Sequence, residues 1–233
     1  MLILAFESSA KPASVAVYKT SAESDVQGKL LGQYFQNNGF SHSRTLMAMV
    51  ESLLKNLEIK PAELGLVAVA RGPGSFTGVR IGVSAAKGLA AGLEIPICGV
   101  STLEAMAYQQ QQNPDVVICA VMDARRQQVY NALFKWKNGS LVRLCEDRAI
   151  SLEELAAELS RQGMPYMLVG DGVSVAEKYL NNAINTPELL HYQTAYGVVL
   201  AAMHTNPIPA AELEPYYLRP SQAERELIGC SYS

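Results

Sequence analysis

Short apolar runs, each stopped by a single acid or a glycine turn, alternate along the chain with stretches of helical period. Residues 2–6 are wholly apolar and end at Glu7, the pattern of a strand buried on both faces. The turn Ser8-Ser9-Ala10-Lys11-Pro12 leads to a second strand at 14–18, and a third is expected at 29–35. Apolar positions at helical spacing predict a helix over about 42–57, with Ser41 as its N-cap and Pro61 beyond its exit. Residues 64–70 form another apolar strand. It runs into Gly72-Pro73-Gly74-Ser75-Phe76-Thr77-Gly78 and then a long helix to about Gly92.

The same order begins again at residue 116. An apolar strand over 116–122 ends on Asp123, a turn follows, and strands are expected at 128–136 and 141–145, joined at Asn138-Gly139. Ser151-Leu152-Glu153-Glu154 is a capping box that opens a helix. A short strand at 166–169 runs into Gly170-Asp171-Gly172 and a helix over 173–180. Glu7 thus answers Asp123, and the Gly72 turn answers Gly170. Such a repeat fixes an architecture, here the α/β, duplicated two-lobe fold of the actin, sugar-kinase and Hsp70 superfamily, with mixed five-stranded sheets. The first lobe is expected at 1–102, with a helix at 194–204 packing back on it. The second, smaller lobe is expected at 103–193, entered through the capping box Ser101-Thr102-Leu103-Glu104, and a tail at 205–233.

Composition narrows the functional classes. The 233 residues are 49% hydrophobic and 18% charged, as in ordinary globular proteins. A net charge of −3 gives no broad basic field for a nucleic acid backbone. Cys98, Cys119, Cys145 and Cys230 form no C-x-x-C pair and read as reduced structural thiols. No run is long enough to span a bilayer, and the N-terminal apolar run is too short for a signal segment. A cytoplasmic protein without membrane contact is expected.

Candidate chemistry gathers at the strand ends. Gly72, Gly74 and Gly78 precede a helix whose first amides form a natural anion site. The loop lacks the ending of a P-loop and the third glycine of a dinucleotide fingerprint. A ligand cradle and a tight structural turn both fit it. In an actin-like arrangement Glu7, Ser8, Gly74, Asp123 and Asp171 are the candidates to face a nucleotide and its magnesium; the alternative for Asp123 is a pairing with Arg125 or Arg126. Glu7 is a methylene longer than the aspartate usual in kinases of this fold, and the turn after it has no glycine. His42, His191 and His204 are scattered, with no pair at metal-binding spacing. No metal site and no catalytic residue are expected.

The first-lobe helices suggest contact with another chain. In the helix over 42–57, Leu46, Met49, Val50, Leu53, Leu54 and Leu57 form a core stripe that Met47, Ala48 and Leu54 widen beyond what one lobe needs, and Gly78, Gly82, Ala86 and Ala90 make a row of small residues in the next helix. Such a row admits a close neighbour, which is either the preceding helix or a second subunit.

Gly72-Pro73-Gly74-Ser75-Phe76-Thr77-Gly78-Val79-Arg80-Ile81-Gly82, followed by Ala86-Lys87-Gly88-Leu89-Ala90, resembles the signature stretch of the TsaB (YeaZ) family. The opening Ile3-Leu4-Ala5-Phe6-Glu7-Ser8-Ser9, His42-Ser43, Ser101-Thr102-Leu103-Glu104-Ala105 and Tyr217-Leu218-Arg219 also match, so the likeness runs from residue 1 to about 220. One departure is Glu7, where most members carry aspartate. The resemblance implies a noncatalytic subunit in formation of threonylcarbamoyladenosine on tRNA, beside the anticodon. It implies a heterodimer with the transferase paralogue TsaD, TsaE in a larger complex, a homodimer when alone, and only indirect contact with tRNA. It also implies that His42, Leu46, Met47, Val50, Leu54, Gly78, Gly82, Ala86 and Ala90 form the partner face. No cofactor is expected on the isolated chain, and ATP or ADP with magnesium only in the complex. The alternatives are an actin-like ATPase or small-molecule kinase and, with less support, a peptidase.

Overall fold

A computed structural model describes residues 1–21, 28–39, 41–110 and 112–219. Cys230 and the charged stretch Glu224-Arg225-Glu226, with Pro220 before it, lie outside the described residues. The elements in chain order are β1 Leu2–Glu7, β2 Ala13–Lys19, β3 Lys29–Gln36, α1 His42–Asn56, β4 Leu64–Ala70, α2 Phe76–Gly92, β5 Ile97–Val100 and α3 Thr102–Tyr108. There follow β6 Val117–Asp123, β7 Gln128–Lys137, β8 Ser140–Arg143, β9 Arg148–Ser151, α4 Leu152–Gln162, β10 Tyr166–Val169, α5 Val173–Ala176, β11 Ala183–Ile184 and α6 Ala195–Ala202.

The two sheets are copies of one topology. The first runs β3-β2-β1-β4-β5, and the second runs β8-β7-β6-β10-β11 with β9 added on β7. In each, the first two pairings are antiparallel and the last two parallel. This is the duplicated actin-like fold. Central strands β1 and β6 are apolar on both faces because helices cover both. Leu4 and Phe6 face α1 and α2, and Ile3 and Ala5 face α6. In the second lobe Ile118 and Met122 lie with α3, while Val117 and Val121 lie with α4 and α5. The lobes meet through α3 and α6, where Gly197 lies so close to the Ala105 carbonyl that a β-carbon would collide with it.

The glycine turns are equivalent in geometry as well as order. Gly72 and Gly170 hold φ of 119° and 113°, a region that favours glycine. Several local expectations change. Ser41 occupies the cap position of α1 but makes no side-chain capping bond; its hydroxyl lies 3.2 Å from that of Ser43. The capping box at Ser101 is half formed: its hydroxyl accepts from Glu104 N, while the Glu104 carboxylate binds Arg143 at 3.1 Å. At Ser151 both halves form. β8 stops at Arg143, short of Cys145, and α5 has one turn rather than reaching residue 180.

Candidate functional site

The site is built where β1 and β6 end. After Glu7 the chain turns beneath the N-terminus of α2, and the two are joined by direct bonds. Ser75 N donates to Ser9 O at 2.6 Å, and Ser8 Oγ donates to Gly78 O at 2.9 Å. A β-carbon on Gly74 would strike the Ser9 carbonyl, one on Gly78 the Ser8 carbonyl, and one on Gly82 the Ser8 hydroxyl. The glycine row is therefore filled by the chain's own Ser8-Ser9 turn. It leaves no open cradle for phosphate at Gly78 and Gly82.

The same contacts correct the reading of the partner face. Gly78, Gly82, Ala86 and Ala90 are buried in their own lobe, as are Leu46, Val50 and Leu54. Spacing by four places small residues on one helix face, and that face meets the turn and the sheet. Of the nine residues, only Met47, 44% exposed, and the half-buried His42 reach the surface. Beside them the outward sides of α1 and α2 form a groove of about 350 Å³, lined by Met47, Ile81, Ala85 and Arg80 among others. His42 Nε2 lies 2.8 Å from Ala10 O, an acceptor, so Nε2 carries a proton; its buried Nδ1 has no hydrogen-bond partner among the described residues.

Glu7 is fully buried. Its Oε1 accepts from Ser9 N at 2.6 Å and Ser9 Oγ at 2.5 Å, while Oε2 has no hydrogen-bond partner among the described residues. Burial pushes its pKa up to about 7, against the lowering effect of the Ser9 bonds, and Asp171 adds to the rise. The Asp171 pKa is also raised, first by burial and then by Asp123, despite a bond from Gln193 Nε2 at 3.0 Å. Asp123 is taken by its own hairpin, accepting from Arg125 N at 2.8 Å and pairing with the Arg125 guanidinium at 3.4 Å. Glu7 is thus held by Ser9, and the space beside Gly74, Gly78 and Gly82 by the Ser8-Ser9 turn.

Between the lobes lies a cleft of about 710 Å³. It brings together Gly74, Asp123 and Asp171, with His42 at its edge; Glu7 and Ser8 lie beneath, outside its lining. Its lining also includes residues that sequence spacing did not assign to the site, Tyr216 to Arg219. Their aromatic and basic character was visible, but nothing in the sequence marks Arg71, Phe76 and Arg80 as their seats. Elsewhere, Cys98 and Cys119 are buried and Cys145 half-buried, and burial raises Cys119 to about 12.

A family model for TsaD, tRNA N6-adenosine threonylcarbamoyltransferase, matches residues 37–208. The chain is 32% identical over 242 residues to the tRNA threonylcarbamoyladenosine biosynthesis protein TsaB of Bacillus subtilis (strain 168), covering 98% of each. It is 32% identical over 176 residues to the protein of the same name from Escherichia coli (strain K12), covering 75% of this chain and 71% of the relative. Among solved structures, YeaZ from Pseudomonas aeruginosa shares the fold with a TM-score of 0.73 at 23% identity, over 93% of this chain and 99% of that one.

Proposed function

We propose that this chain, which belongs to the TsaB family of tRNA threonylcarbamoyladenosine biosynthesis proteins, is the noncatalytic partner that binds and activates the transferase TsaD. The observation that carries this reading is the filled glycine row. The Ser75 amide and the space beside Gly74, Gly78 and Gly82 are taken up by the Ser8-Ser9 turn, so this part of the strand end serves structure. What is left outward on α1 and α2 is an apolar groove carrying an exposed methionine, chemistry suited to a protein partner.

In this account the groove docks TsaD, and a second copy of the chain when TsaD is absent. TsaE joins the pair, ATP or ADP with magnesium enters with the complex, and tRNA is contacted indirectly, all in the cytoplasm. Among the described residues no helix is long and apolar enough to cross a membrane.

The test is formation of threonylcarbamoyladenosine on tRNA by TsaD and TsaE with and without this chain. A large increase on adding it, with none from the chain alone, is expected. An unchanged rate, or formation by the chain alone, rules the proposal out.

A further inference from the structure

The last described residues do not leave the body of the protein. Leu213 is buried in the first-lobe core, and Lys87 Nζ donates to its carbonyl at 2.7 Å. Tyr216 N donates to Arg71 O at 2.7 Å, and the Tyr216 carbonyl fills the space that a β-carbon on Gly72 would need. Tyr217 lies on Phe76, ring centroids 4.7 Å apart, and its hydroxyl accepts from Arg80 Nε at 2.9 Å. Arg219 then reaches the second lobe. It donates to Ala124 O at 3.5 Å and to the Gln128 side chain, with its guanidinium 5.9 Å from the Tyr130 ring centroid. Seven residues thus tie α2 to the β6–β7 hairpin, the last four of them along the lining of the cleft.

Arg80 belongs to two surfaces at once. Its guanidinium sits 3.9 Å over the Phe76 ring and bonds Tyr217, yet it also lines the outer groove beside Met47 and Ile81. A protein covering that groove must meet this cation. An acidic group there would draw the guanidinium away from a phenol, since bonds to a carboxylate are the stronger. Contacts of this kind are individually weak and largely exposed, which puts the segment at the low end of the local stability range.

We propose that residues 213–219 are a latch holding the two lobes together across the cleft, and that Arg80 makes its hold responsive to whatever covers the groove of α1 and α2. The latch itself stands on intramolecular contacts; only what acts on Arg80 rests on the reading of the groove as a docking face.

The experiment is amide hydrogen exchange on the full chain, comparing wild type with Arg219→Ala and Arg80→Ala. Both variants are expected to speed exchange across 214–219 about tenfold or more, Arg219→Ala also across 124–128, with β1 and α1 unchanged. Unaltered protection of 214–219 in Arg219→Ala overturns the latch. Unaltered protection there in Arg80→Ala overturns the coupling. If either variant loses protection throughout, Arg219→Lys and Arg80→Lys, which keep charge but lose the planar fork, make the same comparison. None of these outcomes depends on TsaD, whose association is measured separately.

Discussion

The Ser8 hydroxyl donates to the Gly78 carbonyl at 2.9 Å, and the Ser8 carbonyl occupies the space a Gly78 side chain would fill. The turn after the first strand and the start of α2 are thereby one packed unit. At Gly78 this contact leaves no room for a side chain.

Substitution along α2 should separate its two sides. Gly78→Ala drives a β-carbon into backbone and is expected to cost about 1–3 kcal/mol. Gly88→Ala meets open space in the same helix and should stabilise by about 0.5–1 kcal/mol. Urea midpoints of the two variants check both signs. Gly82→Leu and Ala86→Leu, which on an outward ridge would break dimerisation alone, here overfill the lobe and should lower the midpoint first.

Glu7 gives a pH dependence of definite sign. Burial holds its pKa at about 7, above the ordinary 4.5 of an exposed glutamate, so the folded state holds the proton more tightly. Its contribution is fully favourable below about 4.5 and is lost as pH rises through about 7. The whole effect is roughly 3 kcal/mol at most. Glu7→Gln, neutral throughout, should flatten stability between pH 5 and 8 and exceed wild type at pH 8. Urea unfolding at both pH values reads this out, and parallel curves for the two proteins would contradict it.

Arg143 ties the start of α3 to the second sheet. It pairs with Asp147 at 2.5 Å and Glu104 at 3.1 Å, and Asp147 also accepts from Ser101 at 2.6 Å. Arg143→Ala leaves a mostly buried Asp147 carboxylate without its cation and should cost about 1–3 kcal/mol. Thermal unfolding measures it; a melting temperature equal to wild type would show the network to be idle.

Much of the fold was legible because strands covered on both faces are nearly pure apolar runs, as at residues 2–6 and 117–122. The paired order of acids and glycine turns then exposed the duplication. β9 escaped because Arg148-Ala149-Ile150-Ser151 is short and half polar, and merges with the capping box at Ser151. The direction of the Gly78-Gly82-Ala86-Ala90 row was beyond reach for a different reason. Spacing reveals which residues share a helix face, but not whether the face meets its own turn or another chain. Tyr216 and Tyr217 likewise showed their chemistry without their seats, since Arg71 and Arg80 lie more than a hundred residues away.

Docking of TsaD in the outward groove of α1 and α2, as proposed, is open to direct measurement. Sedimentation velocity of equimolar chain and TsaD at micromolar concentration, with wild type and Met47→Glu, tests it most directly. Wild type is expected to give a single faster heterodimer boundary, and the buried charge of Met47→Glu to weaken association about tenfold or more, with the variant's melting temperature unchanged. Separate boundaries for the wild-type pair, or full association by Met47→Glu, would contradict it.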